Sequence, residues 1–294
     1  MVARNELPPF PFTVDRFVEE VKSDAASTAS QACAAFATLA TKAVIPGEFR
    51  GAVPAVVALV EREGEGFDVA AKESALAALV ALLACVEGAA EDAVGLGVVG
   101  KLVAAAAARD DGRLDVNAIE ALRVLVTVEA AASAVVADES LIDAVVEFVA
   151  ERAVRPPPTP GAPHDVAEAS LDLLCGLASK RSDGGACRDA VIRRGGVTVL
   201  ARVLANARND EVVIRALLGL AMTTAKEAQQ AELVAAEGAA AALMRAVRSP
   251  DGDAAGVAKD LVNLLGRNPA LKSQMAAALR ESMSAGAGAG MDTA

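Results

Sequence analysis

One phrase recurs along this chain. Two small residues three apart are followed by large apolar residues at the fourth and seventh offsets. It stands at Ala32, Ala35, Phe36 and Leu39, then at Ala75, Ala78, Leu79 and Leu82. It returns at Ala118, Ala121, Leu122 and Leu125, and at Ala167, Ser170, Leu171 and Leu174. Val213, Ala216, Leu217 and Leu220 repeat it with Val in first place. Those offsets put all four side chains on one face of a helix. A sixth copy, Val257, Asp260, Leu261 and Leu264, carries Asp where a small residue is expected.

A second phrase interleaves with the first. A residue that breaks a helix is followed by apolar residues at one helical spacing. The copies begin at Gly51 (Val53, Val56, Leu59), Gly97 (Val99, Leu102), Ser140 (Ile142, Val145, Phe148), Gly195 (Val197, Leu200, Val203) and Gly238 (Ala240, Leu243, Val247). The starts lie 46, 43, 55 and 43 residues apart. The long interval contains Arg155-Pro156-Pro157-Pro158-Thr159-Pro160-Gly161-Ala162-Pro163. Proline cannot continue a helix, so residues 155–164 are expected as a loop inserted within one repeat.

A period near 40–47 residues with two or three helices is the pattern of HEAT and armadillo arrays. The run Cys187-Arg188-Asp189-Ala190-Val191-Ile192-Arg193-Arg194-Gly195-Gly196-Val197 resembles the armadillo repeat, as does Leu233-Val234-Ala235-Ala236-Glu237-Gly238-Ala239. The resemblance covers roughly residues 30–267 and is clearest from 165 onward. The expected fold is all-α: a right-handed α-solenoid of about five to six armadillo-like repeats. The expected organisation is an extended segment over 1–12, a repeat domain over 13–283 and a Gly/Ala tail over 284–294. Thr13 should cap the first helix, which runs through Val21. Asn268 and Pro269 should open a last, capping helix that ends near Met283.

Composition agrees with helices packed closely. Hydrophobic residues make up 54% but aromatics only 2%, with no Trp or Tyr. Ala and Leu are strong helix formers, and small residues at the contacts let helix backbones approach. The net charge of -11 and a pI near 4.8 argue against nucleic acid as a partner of the whole molecule. The cysteines (Cys33, Cys85, Cys175, Cys187) form no Cys-x-x-Cys pair and read as small buried residues in a reducing compartment. With no apolar run of bilayer length and no signal core at the start, the chain is expected in the cytoplasm or nucleus.

Candidate chemistry is sparse. Gly95-Leu96-Gly97-Val98-Val99-Gly100-Lys101 fits two phosphate-binding patterns, but Leu102 stands where a magnesium-binding Ser or Thr belongs. No strand is expected before it, and its glycines fall at an inter-helix break. His164, the single histidine, lies at the end of the proline loop, a poor place to hold a base. The carboxylates at Glu61, Glu63 and Glu65, and at Asp110 and Asp111, lack calcium-loop spacing and read as solvated loop charge. No catalytic, metal or cofactor site is therefore expected.

The basic residues are uneven. Lys180, Arg181, Arg188, Arg193, Arg194, Arg202, Arg208 and Arg215 face only Asp183, Asp189, Asp210 and Glu211 in that segment. The plain reading is a solvated face. The functional one is a patch that steers an acidic partner.

The armadillo resemblance implies that the third helices of the repeats line a concave groove for an extended peptide. In peptide-binding members the groove position before the last Leu of the phrase is often Asn. Here it is Thr38, Ala81, Val124, Leu173, Gly219 and Asn263; only Asn263 matches, and the accompanying Trp is missing. One turn to either side stand Arg215 and Thr223 in the fifth copy, and Lys259 and Arg267 in the sixth. Earlier copies offer mostly apolar residues, with Lys42 and Glu120 as exceptions. Arg215, Thr223, Lys259, Asn263 and Arg267 are thus the expected contact residues, for a protein or peptide partner that is acidic or presents its backbone. The expected function is a non-enzymatic scaffold. The alternative is a structural subunit that uses its apolar N-terminal half as a permanent interface.

Overall fold

The structure, a computed structural model, describes residues 11–62, 67–107, 114–152, 166–179, 185–207 and 209–288. These hold seventeen α-helices and one 3-10 helix, and among the described residues there is no strand. The chain divides into two compact units, residues 1–141 and 142–294.

The first unit opens with α1 (Val14–Val21) and α2 (Ala26–Ala40). A 3-10 helix (Gly47–Ala52), α3 (Val53–Glu61) and α4 (Val69–Cys85) form one repeat. The next is α5 (Ala89–Gly95), α6 (Val98–Ala107) and α7 (Leu114–Leu125), followed by α8 (Glu129–Ala137) and the start of α9 (Glu139–Arg152). The second unit holds the rest of α9 and α10 (Val166–Ser179). Then come the triplets α11 (Ala186–Arg193), α12 (Gly196–Asn206) and α13 (Asp210–Thr223), and α14 (Glu227–Ala235), α15 (Ala239–Val247) and α16 (Gly252–Leu265), closed by α17 (Pro269–Gly288). Within each unit the third helices pack side by side: α2, α4 and α7 in the first, α10, α13 and α16 in the second. Second helices back them, as α6 does α7 and α12 does α13.

The recurring phrase is the core. Ala75, Ala78, Leu79 and Leu82 are fully buried, as are Ala118, Ala121, Leu122 and Leu125. So are Ser170, Leu171, Leu174, Ala216, Leu217 and Leu220. The sixth copy is set differently. Asp260 and Leu264 are exposed, and Ala254, Ala258, Leu261 and Leu265 turn inward instead. The expected register of that copy is thereby corrected, and it explains the Asp: it never enters the core.

Corners and caps follow from local chemistry. Gly97, Gly195 and Gly238 stand at positive φ just before second helices, as do Gly88 and Gly185 before first helices. Gly51, by contrast, lies inside the 3-10 helix. The Thr13 hydroxyl accepts from the Arg16 N–H, and Asp68, Asn209 and Asp251 cap α4, α13 and α16 in the same way. Asn268 accepts from the N–H groups of Ala270 and Leu271, with Pro269 as the first residue of α17. That helix extends past Met283, to Gly288.

The few aromatics concentrate at one end. Phe17 stacks on Phe36 with ring centroids 4.5 Å apart, and Phe49 lies 5.3 Å from Phe36. All three are fully buried and pack α1, α2 and the 3-10 helix together.

Polar contacts tie neighbouring repeats at one sequence interval. Asn117 Nδ2 donates to the Glu73 carbonyl 44 residues away, Arg50 pairs with Asp92 at 42, and Gln274 Nε2 donates to the Val234 carbonyl at 40. The pairs Arg194–Asp143 and Arg202 to the Ala150 carbonyl lie 51 and 52 apart. Both span residues 153–165, which contain the proline run and lie outside the described residues.

Candidate partner-binding surface

In the second unit the row α10, α13 and α16 carries the five expected contact residues, and the structure divides them. Arg215 is half-buried and held by the protein's own carboxylates. Its Nε donates to Asp172 Oδ1 at 2.9 Å, and its Nη1 to Glu211 Oε2 at 2.6 Å and the Glu211 carbonyl at 3.1 Å. Its Nη2 lies 3.4 Å from Glu168 Oε2. Partial burial works against the charged guanidinium, but the Glu211 hydrogen bond and the Asp172 and Glu168 charges outweigh it and raise its pKa. Arg215 thus clasps α10 to α13. Thr223 is buried, and its hydroxyl donates to the Gly219 carbonyl one turn back at 2.8 Å. Both are engaged by the protein's own groups.

Lys259, Asn263 and Arg267 differ. They follow one another at intervals of four residues along and just beyond α16, all exposed, with no hydrogen bond or ion pair among the described residues. Asp260 and Leu264, the latter 47% exposed, lie beside them. The changed register of α16 also moves Asn263. Counted from the N-caps Asn209 and Asp251, it stands level with Ala221 rather than Gly219. Its match to the groove asparagine of peptide-binding members does not survive that shift.

The neighbouring faces are not basic. Glu168, Asp172 and Glu211 surround the single cation Arg215, so the α10–α13 surface is acidic. The i, i+4 spacing of Glu168 with Asp172, and of Glu211 with Arg215, was the sequence signal for this cluster. Much of the basic segment is likewise spent on clasps: Arg194 to Asp143 at 3.0 Å, Arg202 to the Ala150 carbonyl at 3.1 Å. Arg188 approaches Asp189 at 4.0 Å, and Arg193 is exposed. Lys180, Arg181, Asp183 and Arg208 lie outside the described residues.

In the first unit the row α2, α4 and α7 presents small side chains. Ser30 and Ser74 hydroxyls meet at 3.0 Å between α2 and α4. Thr38 is exposed, with its hydroxyl on the Ala34 carbonyl, while Ala81 and Val124 are half-buried. Glu120 pairs with Arg123 on its own helix, and Lys42 is exposed. Among the described large apolar side chains of these three helices, Val69 alone is exposed. Cys33 and Cys187 are buried and Cys175 is half-buried, but Cys85 is exposed at the end of α4, against expectation. Desolvation pushes the Cys33 thiol up to about 12.

The glycine pattern at 95–101 is an inter-helix corner. Gly95 ends α5, Gly97 makes the left-handed turn, and Lys101 lies in α6 with its ammonium on Glu61. No helix among the described residues is long and apolar enough to cross a membrane, and no three metal-binding side chains cluster among them. His164, Glu63, Glu65, Asp110 and Asp111 lie outside the described residues.

No family model matches the chain, and no curated protein matches it in sequence. Solved structures do match in shape. A designed armadillo repeat protein superposes with a TM-score of 0.67 at 18% identity, covering 86% of this chain and 100% of its own. An engineered protein gives a TM-score of 0.67 at 21% identity, over 86% of this chain and 96% of its own. A second designed armadillo repeat protein, solved in complex with the peptide (KR)4, gives 0.65 at 15% identity, over 86% and 100%. At such identities the likeness is one of fold: this chain is an all-α solenoid of armadillo-like repeats.

Proposed function

We propose that this chain is a non-enzymatic interaction scaffold. It would hold a protein or peptide segment along the row α10, α13 and α16, with Lys259, Asn263 and Arg267 as the contact stripe. The observation that carries this reading is the stripe itself: exposed donors at helical spacing, free of internal partners, on a third helix. A designed protein of the same fold in complex with a peptide supports it. Two cations and an amide fit a partner that offers carboxylates or backbone carbonyls there. The alternative, a permanent apolar interface on the first unit, finds less support, because among the described side chains of α2, α4 and α7 Val69 is the one large apolar residue that is exposed.

The test is capture of partners from cell extract by the wild type and by a Lys259→Glu, Asn263→Ala, Arg267→Glu variant, after circular dichroism confirms matching helicity. A partner lost only by the variant is the expected result. If every captured partner is retained, the stripe is not the recognition surface.

A further inference from the structure

Among the described side chains of the second unit, two large apolar residues are exposed, Leu218 at 40% and Leu264 at 47%. Single exposed leucines are ordinary on a protein surface. These two, however, belong to neighbouring third helices, α13 and α16, which pack side by side. Met222 and Leu264 each lie thirteen residues beyond their N-caps, Asn209 and Asp251, and Arg215 and Val257 each lie six beyond. Residues seven apart share one side of a helix. From that side of α13, Arg215 reaches back to Asp172 on the preceding third helix. Leu264 therefore looks back in the same way, toward α13. Leu218, one turn before half-buried Met222, faces solvent on α13. The seam between the two helices thus carries an apolar strip.

The α16 edge of that strip is polar and cationic. Asn263 adjoins Leu264, and Lys259 and Arg267 stand one turn to either side of Asn263. All three are exposed, with no hydrogen bond or ion pair among the described residues. Asp260 is the exposed carboxylate within that reach. Asp253, the other exposed carboxylate of α16, stands ten residues before Asn263, about 15 Å along the axis. Two cations to one anion make the edge positive beside the strip.

With the proposed contact stripe as its premise, we infer the chemistry of the partner segment. It carries a large apolar side chain seated on the Leu218–Leu264 seam and a carboxylate paired with Lys259 or Arg267. The charge pair orients the segment, and the apolar contact supplies affinity. Neighbouring helices lie about 8–10 Å apart, a distance that about three residues of extended chain span. The apolar residue and the Asp or Glu therefore stand within about three positions of each other in the partner.

The probe is a displayed library of random short peptides selected on the full chain, with the strongest binder then measured by fluorescence anisotropy. The variants are Leu218→Ser, Leu264→Ser and the Lys259→Glu, Asn263→Ala, Arg267→Glu stripe variant. Both leucines are exposed, and each variant must keep the wild-type helical spectrum, so misfolding of one Leu variant leaves the other decisive. Selected peptides should share a large apolar residue within about three positions of Asp or Glu. Binding should weaken about tenfold in a Leu variant, the worth of one buried apolar side chain, and at least about tenfold in the stripe variant. Peptides lost by the stripe variant but held unchanged by the Leu variants overturn this inference and leave the stripe as the recognition surface. So do peptides lost by the stripe variant that lack the apolar residue or the carboxylate. Binders that the stripe variant retains, or a library from which nothing is selected, overturn the inference and the contact stripe together.

Discussion

Ser170 is the buried polar side chain that stands out. Its hydroxyl is fully buried in α10 and has no hydrogen-bond partner among the described residues. The same place in four other copies is alanine: Ala35, Ala78, Ala121 and Ala216. An unsatisfied buried hydroxyl keeps its desolvation cost, so Ser170→Ala should raise stability by about 1 kcal/mol. Urea unfolding reads this as a higher midpoint at unchanged slope. A lower midpoint would mean that a buried water serves the hydroxyl. Single residues were also where the sequence was hardest to read. The charge on Arg215 was legible, but its three carboxylates come from two helices, and only folding brings Glu168 and Asp172 against Glu211.

Between elements, adjacent glycines at the α11–α12 corner do different work. Gly195 has φ +82, with open space around a would-be Cβ. Gly196 has ordinary backbone, but its Cβ would lie 2.5 Å from Val191 Cγ1 and 2.8 Å from the Val191 carbonyl oxygen. Gly195→Ala therefore costs the left-handed penalty alone, about 1 kcal/mol. Gly196→Ala should cost more, about 2–3 kcal/mol, because a helix carbonyl cannot move aside. Denaturation of the two variants side by side checks the order; equal losses would refute the distinction. The elements themselves were largely readable, since the Ala and Leu offsets mark the third helices and glycines mark the corners. The last copy misled because Val257 and Leu264 continue the phrase's spacing around Leu261, whereas the face that packs runs through Ala254, Ala258, Leu261 and Leu265. Ala254 and Ala258 complete the true face and carry too little hydrophobic signal to announce it.

Across the molecule, repeats are joined by apolar faces inside and by spaced ionic clasps outside. Arg50 lies over Gly88 to reach Asp92, with Nε and Nη2 at 2.6 and 2.7 Å from its two oxygens. A Cβ on Gly88 would fall 2.3 Å from Arg50 Nη1, so glycine serves both the turn and the clasp. The Arg50 hydrogen bond holds the Asp92 carboxyl below its ordinary range, and Ser140 does the same to Asp138. A carboxyl with a lowered folded-state pKa stabilises above its unfolded value near ~3.9 and loses that contribution as pH falls through the folded one. The melting temperature of the wild type should thus drop more steeply between about pH 5 and about pH 3 than that of Asp92→Asn. Parallel profiles would show the clasp to be energetically idle, as many surface pairs are.

The sequence by itself determined the fold class and the repeat length. These rest on periodicity, and a helix displays its buried face at intervals that survive in one dimension. Only the tertiary structure decided which polar groups remain free. Arg215 and Thr223 looked as available as Lys259 and Arg267 because spacing along one helix does not show what the next helix places opposite it.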